Sequence, residues 1–290
     1  MSFRSGVLTD LFKIFPFFAS DAFYILLISV GYWRHTQDRL FWDLGFLVPF
    51  TTLLSCTLKN LFLIPRPPEI FHLVPVHDPF GFPSGDVYVA TAFWGMLCLT
   101  INSKRLWIIA GALLLMMMIS RLYLGVHNVS DIVGGFILGG FTLWCYRSRF
   151  FQTFSSQWFS GRMATYGAVV SFCALVYFIV SFSLPVPAMV IMALGALGGY
   201  GISLSFRAHG FLLPMKVQPL SVPSIIFFLS ILGGFVWFFP GAREGSMLLM
   251  WVLGLIKYAF VVALIYIILP LSHQWLSPQF GRKKYKKNGS

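Results

Sequence analysis

The sequence predicts an all-α protein, a polytopic transmembrane helix bundle with about nine spans. Of its 290 residues, 58% are hydrophobic and 10% are charged, whereas soluble domains carry about 25% charged residues. Apolar runs approaching the ~20 residues that a helix needs to cross the hydrocarbon core recur along the chain. Since so few charges cannot cover a surface that faces water, most of the surface is expected to face lipid.

Nine apolar runs qualify as candidate spans, and mostly short loops connect them. They are residues 15–33, 44–64, 86–101, 105–121, 131–146, 163–182, 187–205, 223–240 and 246–270. We divide the chain into a transmembrane core at residues 1–150, an additional four-helix transmembrane region at 151–275, and a basic tail at 276–290 that is expected to be disordered. The longest connection, residues 65–85, is rich in Pro and His and is predicted to act as a lid.

The net charge of +12 is interpreted as a topology signal. The basic residues form short clusters between apolar runs and not one polar face, so nucleic-acid binding is not expected. When the loops are assigned alternately to two faces, most Lys and Arg residues fall on one face, which the positive-inside rule assigns to the cytoplasm. The face that carries the N-terminus is then periplasmic, lumenal or extracellular.

Three polar segments are predicted to meet on that non-cytoplasmic face. They are residues 59–66 at the end of the second span, 83–86 at the start of the third, and 120–131 between the fourth and the fifth. A count that was wrong by one span in this region would separate them, so their agreement supports the topology.

The first chemical feature of these segments is a set of three cations, Lys59, Arg66 and Arg121. Cations at the face of a membrane protein are unfavourable unless an anion meets them. Phosphate is the natural partner, because Arg binds it through two hydrogen bonds and Lys adds a point charge. Lys59 and Arg66 would share one helix face if the chain were helical between them. Ser84 and Gly85 stand at a helix start, which also favours an anion.

The second feature is a histidine and a carboxylate one helical turn apart, His127 and Asp131. The carboxylate can hold the imidazole in one tautomer and can stabilise the positive charge that develops as the ring attacks. No carboxylate cluster suited to two metal ions occurs on this face. The fixed cations are therefore expected to supply the electrostatic stabilisation, and neither a metal nor a cofactor is predicted.

Together these segments resemble the three-part signature of the type 2 phosphatidic acid phosphatase family, PAP2, which reads K-x6-RP, PSGH and SR-x5-H-x3-D. The first and third parts match at every defining position, and the resemblance covers roughly residues 44–146. It implies a metal-independent enzyme in which His127 is the nucleophile that forms a phosphohistidine and Asp131 orients it. The phosphate-binding positions of the family fall on Lys59, Arg66, Ser84, Gly85 and Arg121.

One position departs from the signature, since Asp86 stands where the family has the histidine that protonates the leaving group. Three accounts are open. Asp86 can act as the acid, or the leaving group can need little acid help, as with a diphosphate ester. In the third account the protein binds its ligand without fast hydrolysis. His72 and His77 in the preceding loop are further proton sources, although loop histidines without a role are the simpler interpretation.

The resemblance favours a lipid phosphatase of a bacterial inner membrane or an endoplasmic reticulum-type membrane, with its site on the non-cytoplasmic side. Its expected partners are membrane lipids and a lipid phosphate or diphosphate substrate; the oligomeric state is not predicted. Two alternatives remain, a phosphoryl or phosphodiester transferase on the same site and a non-catalytic lipid-phosphate binder or transporter. The last four spans are expected to be scaffold or a wall of the lipid-binding cleft.

Overall fold

A computed structural model of the chain describes residues 6–34, 39–76, 78–148, 188–208, 220–238 and 247–270, together with Ala174 and Tyr177. Within these segments the regular elements are helical and no strand occurs, which confirms the all-α prediction. The α-helices are α1 (Gly6–Ile14), α2 (Asp21–Arg34), α3 (Arg39–Phe62), α4 (Gly85–Ile101), α5 (Lys104–Tyr123), α6 (Val129–Arg147), α7 (Ala188–Ala208), α8 (Val222–Phe238) and α9 (Met247–Ala263). Short 3₁₀ segments span Phe15–Ala19 and Glu69–Phe71, and a π-helical segment, Leu264–Ile268, continues α9.

Several of these helices have the length and the composition of membrane spans. Four pass on both criteria, namely α3, α5, α6 and the continuous segment Trp251–Ile268, while Gly6–Ala19 and Asp21–Arg34 form a bent pair that passes as a fifth. Shorter apolar helices occupy Gly85–Ile101, Ala188–Leu204 and Val222–Phe235. Helices thus occupy eight of the nine predicted spans. The sixth, residues 163–182, and the tail at 276–290 lie outside the described residues apart from Ala174 and Tyr177, so the total of nine stays a prediction.

The first predicted span is broken and not continuous. Its two helical parts meet at an angle of 50°, at Ser20, whose backbone is extended (φ −81°, ψ 152°). The Ser20 hydroxyl donates to the Phe17 carbonyl (2.7 Å) and accepts from the Phe23 N–H (3.3 Å). One serine therefore ends the first helical part and caps α2, as Ser commonly does at helix starts.

Helix α3 lies at the centre of the described structure. It packs against α4 on one side and against α7 on another, while α4 also contacts α5 and α6, and α7 packs along α9. The α7–α9 contact is close because Gly195 and Gly199 present no side chain there: a Cβ at Gly195 would lie 2.6 Å from the Leu255 carbonyl oxygen. Small residues permit such close approach of apolar helices. Helix α7, which lies beyond residue 150, thus packs directly on the predicted core.

Candidate active site

A cavity of about 480 Å³ is bounded by α2, α3, α7, α9 and the loop before α4. Its volume lies in the range of small-molecule sites, about 300–1,000 Å³. One end is polar and is lined by Asp21, Lys59, Arg66, Asp78, Gly85, Asp86, Arg121 and His127. Six of the eight site residues predicted from the sequence are among these, and the other two, Ser84 and Asp131, lie directly behind them. The ends of α3 and α5 and the starts of α4 and α6 therefore meet at this point.

Lys59 and Arg66 both line this end of the cavity, but Lys59 belongs to a helix and Arg66 to a loop. Lys59 belongs to the last turn of α3, which ends at Phe62, and Leu63 follows in the left-handed region with φ 52°. The helix cannot continue through Pro65, which lacks an N–H and excludes helical geometry from the residue before it. The conditional expectation that both cations share a helix face was therefore wrong, and tertiary contacts bring them together instead.

Asp78 brings the two cations together, and the sequence analysis missed it. Its carboxylate forms an ion pair with the Lys59 ammonium and lies 3.5 Å from Arg66 Nη2, while its carbonyl accepts a hydrogen bond from Arg66 Nε at 2.7 Å. Burial alone would raise the pKa of Asp78, but Lys59, the Phe80 N–H and Arg66 hold that pKa below its usual value. The available signal was that residues 65–85 contain just two carboxylates, Glu69 and Asp78.

His127 is held at both ring nitrogens. Its Nδ1 lies 3.3 Å from Asp131 Oδ2, and its Nε2 lies 2.9 Å from Arg66 Nη1. The same Asp131 oxygen accepts the backbone N–H of Asn128 (2.8 Å) in a capping box that begins α6. A guanidinium is a donor only and a carboxylate is an acceptor. These contacts define the neutral tautomer with the proton on Nδ1 and the lone pair of Nε2 directed at Arg66.

The ionisation of His127 follows from its surroundings. The ring is 5% exposed, and burial lowers its pKa to about 4, with Arg66 and Lys59 acting in the same direction and the hydrogen bond to Asp131 opposing them. The imidazole is therefore neutral near pH 7. Burial likewise lowers the pKa of Arg66 from its usual value, against the attraction of Asp78.

The start of α4 carries the segment in which Asp86 replaces histidine. Ser84 is the N-cap residue and Gly85 the first helical residue, as predicted, and the Ser84 N–H donates to the Asp131 carbonyl at 2.9 Å. The Ser84 hydroxyl is buried and has no partner among the described residues. Asp86 forms an ion pair with Arg121, so the third cation, like the other two, meets a carboxylate.

Other titratable residues lie near the cavity, and some of them line it while others do not. Asp21, at the first position of α2, lines the same end of the cavity as Asp86 and was not predicted. His72 does not line the cavity, and His77 lies outside the described residues. Within the described part of the chain, no group of three or more His, Cys, Asp or Glu side chains is arranged to hold a metal ion.

The fold and the site together define a helical membrane protein with a buried histidine beside a cluster of three cations and their paired carboxylates. Residues 40–155 match the model of the PAP2 superfamily, the family that the sequence motifs resemble. The match includes every predicted site residue.

Individual proteins resemble the same part of the chain. The Bacillus subtilis (strain 168) protein "Phosphatidylglycerophosphatase B" is 34% identical over 128 residues, which are 40% of this chain and 60% of that protein. The matched part of the chain thus spans about three fifths of the length of this relative. A crystal structure described as the first transmembrane PAP2 type phosphatidylglycerolphosphate phosphatase from Bacillus subtilis is 28% identical, with a TM-score of 0.42; the match covers 51% of this chain and 82% of that one.

Proposed function

We propose that the protein is a metal-independent membrane phosphatase that hydrolyses a lipid phosphate or lipid diphosphate through a phosphohistidine at His127. The observation that carries this proposal is the pair of contacts at the imidazole: Asp131 accepts the Nδ1–H, and Nε2 keeps its lone pair 2.9 Å from Arg66. A nucleophile positioned by a carboxylate next to a phosphate-binding cation is the arrangement that phosphoryl transfer requires.

In the first step, Nε2 of His127 attacks phosphorus and the bond from phosphorus to the leaving oxygen breaks. The imidazole becomes positively charged, and Asp131 stabilises that charge through Nδ1. Lys59, Arg66 and Arg121, with the N–H groups of Ser84 and Gly85 at the start of α4, would hold the phosphoryl oxygens. Because three fixed cations neutralise the phosphoryl group, the step needs no metal ion.

Asp86 is the proposed source of the proton for the leaving oxygen. It lines the cavity and is bound to Arg121. A substrate phosphate would compete for Arg121 and would free the Asp86 carboxyl group from its ion pair. In the second step, the Asp86 carboxylate takes a proton from the water that attacks the phosphohistidine. The bond from phosphorus to Nε2 breaks, inorganic phosphate is released, and Nε2 recovers its lone pair.

Two arguments support the substrate class and the side of the membrane. The named activity of the Bacillus subtilis relative is that of a phosphatidylglycerophosphatase, which makes a phosphate monoester of a glycerolipid the first substrate to test. The distribution of Lys and Arg in the sequence supports a site on the non-cytoplasmic side.

The experiment is phosphate release by the purified protein in detergent with EDTA, using a panel of lipid monophosphates and diphosphates and the His127→Ala variant as control. Release that survives EDTA and is lost in the variant is the expected result. Mass spectrometry at alkaline pH, where phosphohistidine is stable, should then locate the trapped phosphoryl group on His127. Transfer to an added alcohol without release of phosphate would indicate the transferase. Binding without turnover of any substrate would indicate the non-catalytic protein.

A further inference from the structure

The cavity does not end at the charged residues, because an apolar part continues from them between four helices. Along α3 its lining residues run from Lys59 through Cys56, Thr52 and Val48 to Gly45. The fourteen helical steps from Gly45 to Lys59 correspond to about 21 Å at ~1.5 Å per residue. One leaflet of the hydrocarbon core is about 15 Å deep, half of the ~30 Å core. The cavity is therefore long enough for a phosphate group and a hydrocarbon tail.

The other walls come from helices that contact α3 in space but lie outside the matched region, residues 40–155. Helix α7 lines the cavity with Met189, Met192, Ala193 and Ala196, which recur at intervals of three and four residues and so occupy one helix face. In the same way α9 and its π-helical continuation contribute Tyr258, Val261, Val262 and Ile265, and α2 contributes Tyr24, Ile25 and Ile28. Each helix thus directs one continuous face at the same space.

Tyr266 lines the end of the cavity away from His127. Its ring lies over Gly45, where no side chain occupies the space, and its hydroxyl donates to the Phe41 carbonyl at 2.6 Å. Nearby, Trp33 Nε1 donates to the Ile265 carbonyl at 3.1 Å. The Tyr266 hydroxyl and the Ile265 carbonyl both belong to the π-helical segment, where the regular α-helical hydrogen bonds are interrupted. Hydrogen bonds to α2 and α3 therefore fix Tyr266 in place.

From these observations we infer that α2, α3, α7 and α9 enclose the hydrocarbon tail of the lipid substrate, with Ala196 and Tyr266 limiting how long a tail is accepted. The inference rests on the proposed function, because it identifies the tail of the lipid whose phosphate would meet His127. It also assigns a role to helices outside the matched region: they select the substrate by its apolar part, whereas the residues around His127 act on its phosphate.

The test compares substrates that share a phosphate monoester and differ in tail length, from a tail-free ester to a long-chain lipid, at a fixed surface concentration. Ala196→Phe places a ring in the cavity. It should lower kcat/KM for the long-chain substrate at least about tenfold and leave the tail-free ester within about twofold. Gly198→Phe is the matched control on the same helix, because a Cβ there meets no atom of the described residues within 4 Å. Ile28→Ala enlarges the apolar part and should shift the preference towards longer tails.

The outcomes separate the tail site from the phosphatase activity. Unchanged tail selectivity in Ala196→Phe, with tail-free hydrolysis intact, overturns the tail site and leaves the phosphatase in place. Absence of release from every substrate by the unmodified protein overturns the proposed function alone. In that case binding of a non-hydrolysable long-chain phosphonate still tests the tail site: weaker binding in Ala196→Phe than in Gly198→Phe supports it, and equal binding overturns it.

Discussion

The two ends of the cavity differ in the residues that line them: charged side chains at one end and apolar helix faces at the other. At the polar end every cation meets a carboxylate: Lys59 and Arg66 meet Asp78, and Arg121 meets Asp86. At the apolar end the walls are helix faces that enclose space without specific polar contacts to a ligand. The polar end can therefore recognise charge and drive chemistry, whereas the apolar end can discriminate by shape and length alone.

This difference separates the effects that substitutions should have. A change at the polar end should alter turnover of every substrate, because all of them present a phosphate. A change at the apolar end, such as Ala196→Phe, should alter the ranking of substrates and leave a tail-free ester unaffected. This distinction between the two ends would be wrong if a polar-end variant changed the preference for tail length. It would also be wrong if an apolar-end variant abolished phosphate release from a tail-free ester.

The largest effect is expected for His127→Ala, which removes the proposed nucleophile. The rate should fall at least about a thousandfold for all tail lengths alike, as loss of a nucleophile does in other enzymes. His72→Ala is the matched control, a histidine of the preceding loop that does not line the cavity, and it should change the rate little. Initial rates of phosphate release measure both. Equal losses in the two variants would contradict the assignment of His127.

A smaller and selective effect is expected for Asp86→Asn. General acid catalysis contributes about 10²- to 10⁴-fold, so hydrolysis of a lipid monophosphate, whose leaving group is an alkoxide, should slow by about a hundredfold. Hydrolysis of a lipid diphosphate should slow much less, because its leaving group is a phosphate. The ratio of the two rates in one preparation measures the effect. An unchanged monophosphate rate with an unchanged acid limb of the pH profile would exclude Asp86 as the acid.

The ionisation of His127 should also appear in the stability of the protein. Its pKa of about 4 in the folded protein lies below the ordinary value of 6.5, so the unfolded chain binds more protons at intermediate pH. Stability from this group is present above pH 6.5 and is lost as the pH falls towards 4, by about 2 kcal/mol at pH 5. Thermal unfolding of His127→Gln should depend less on pH between 7 and 5 than that of the unmodified protein. Parallel curves would show that His127 titrates normally.

The sequence identified residues of the polar end better than it predicted their arrangement. Lys59, Arg66, Arg121, His127 and Asp131 were identifiable because each lies at a fixed spacing inside a short segment, and such spacing reflects local constraints such as the capping turn at His127. Asp78 and Asp21 were missed because neither belongs to a motif. Asp78 acquires its place through an ion pair with a residue nineteen positions away, and no local pattern encodes a contact of that kind.

Even less of the apolar end could be predicted from the sequence. Hydropathy located the helices, because a membrane span has a composition of its own. Hydropathy gives no indication of which face of an apolar helix meets a cavity and which meets lipid, since both environments favour the same side chains. Ala196 lines the cavity and Gly198 does not, although both are small residues in one apolar run. Only the packing of α7 against α3 and α9 separates them.

The smallest effect is expected for Asp78→Asn, and it tests whether the carboxylates of the polar end occupy the place of the substrate phosphate. Asp78 is bound to Lys59 and Arg66, both proposed to hold the phosphate, so a phosphate must compete with it. The side chain is 27% exposed, and ion pairs open to solvent contribute up to ~1 kcal/mol. The inhibition constant of inorganic phosphate should therefore fall about fivefold.

Glu69→Gln supplies the matched control, because it removes a carboxylate from the exposed part of the same loop and should leave phosphate inhibition unchanged. Tighter binding in Asp78→Asn alone would mean that the loop closes the polar end with an internal anion, which the substrate displaces. Weaker binding would mean that Asp78 instead aligns Lys59 and Arg66 for the phosphate. The substrate phosphate would then bind beside the Asp78 carboxylate and would not displace it from Lys59 and Arg66.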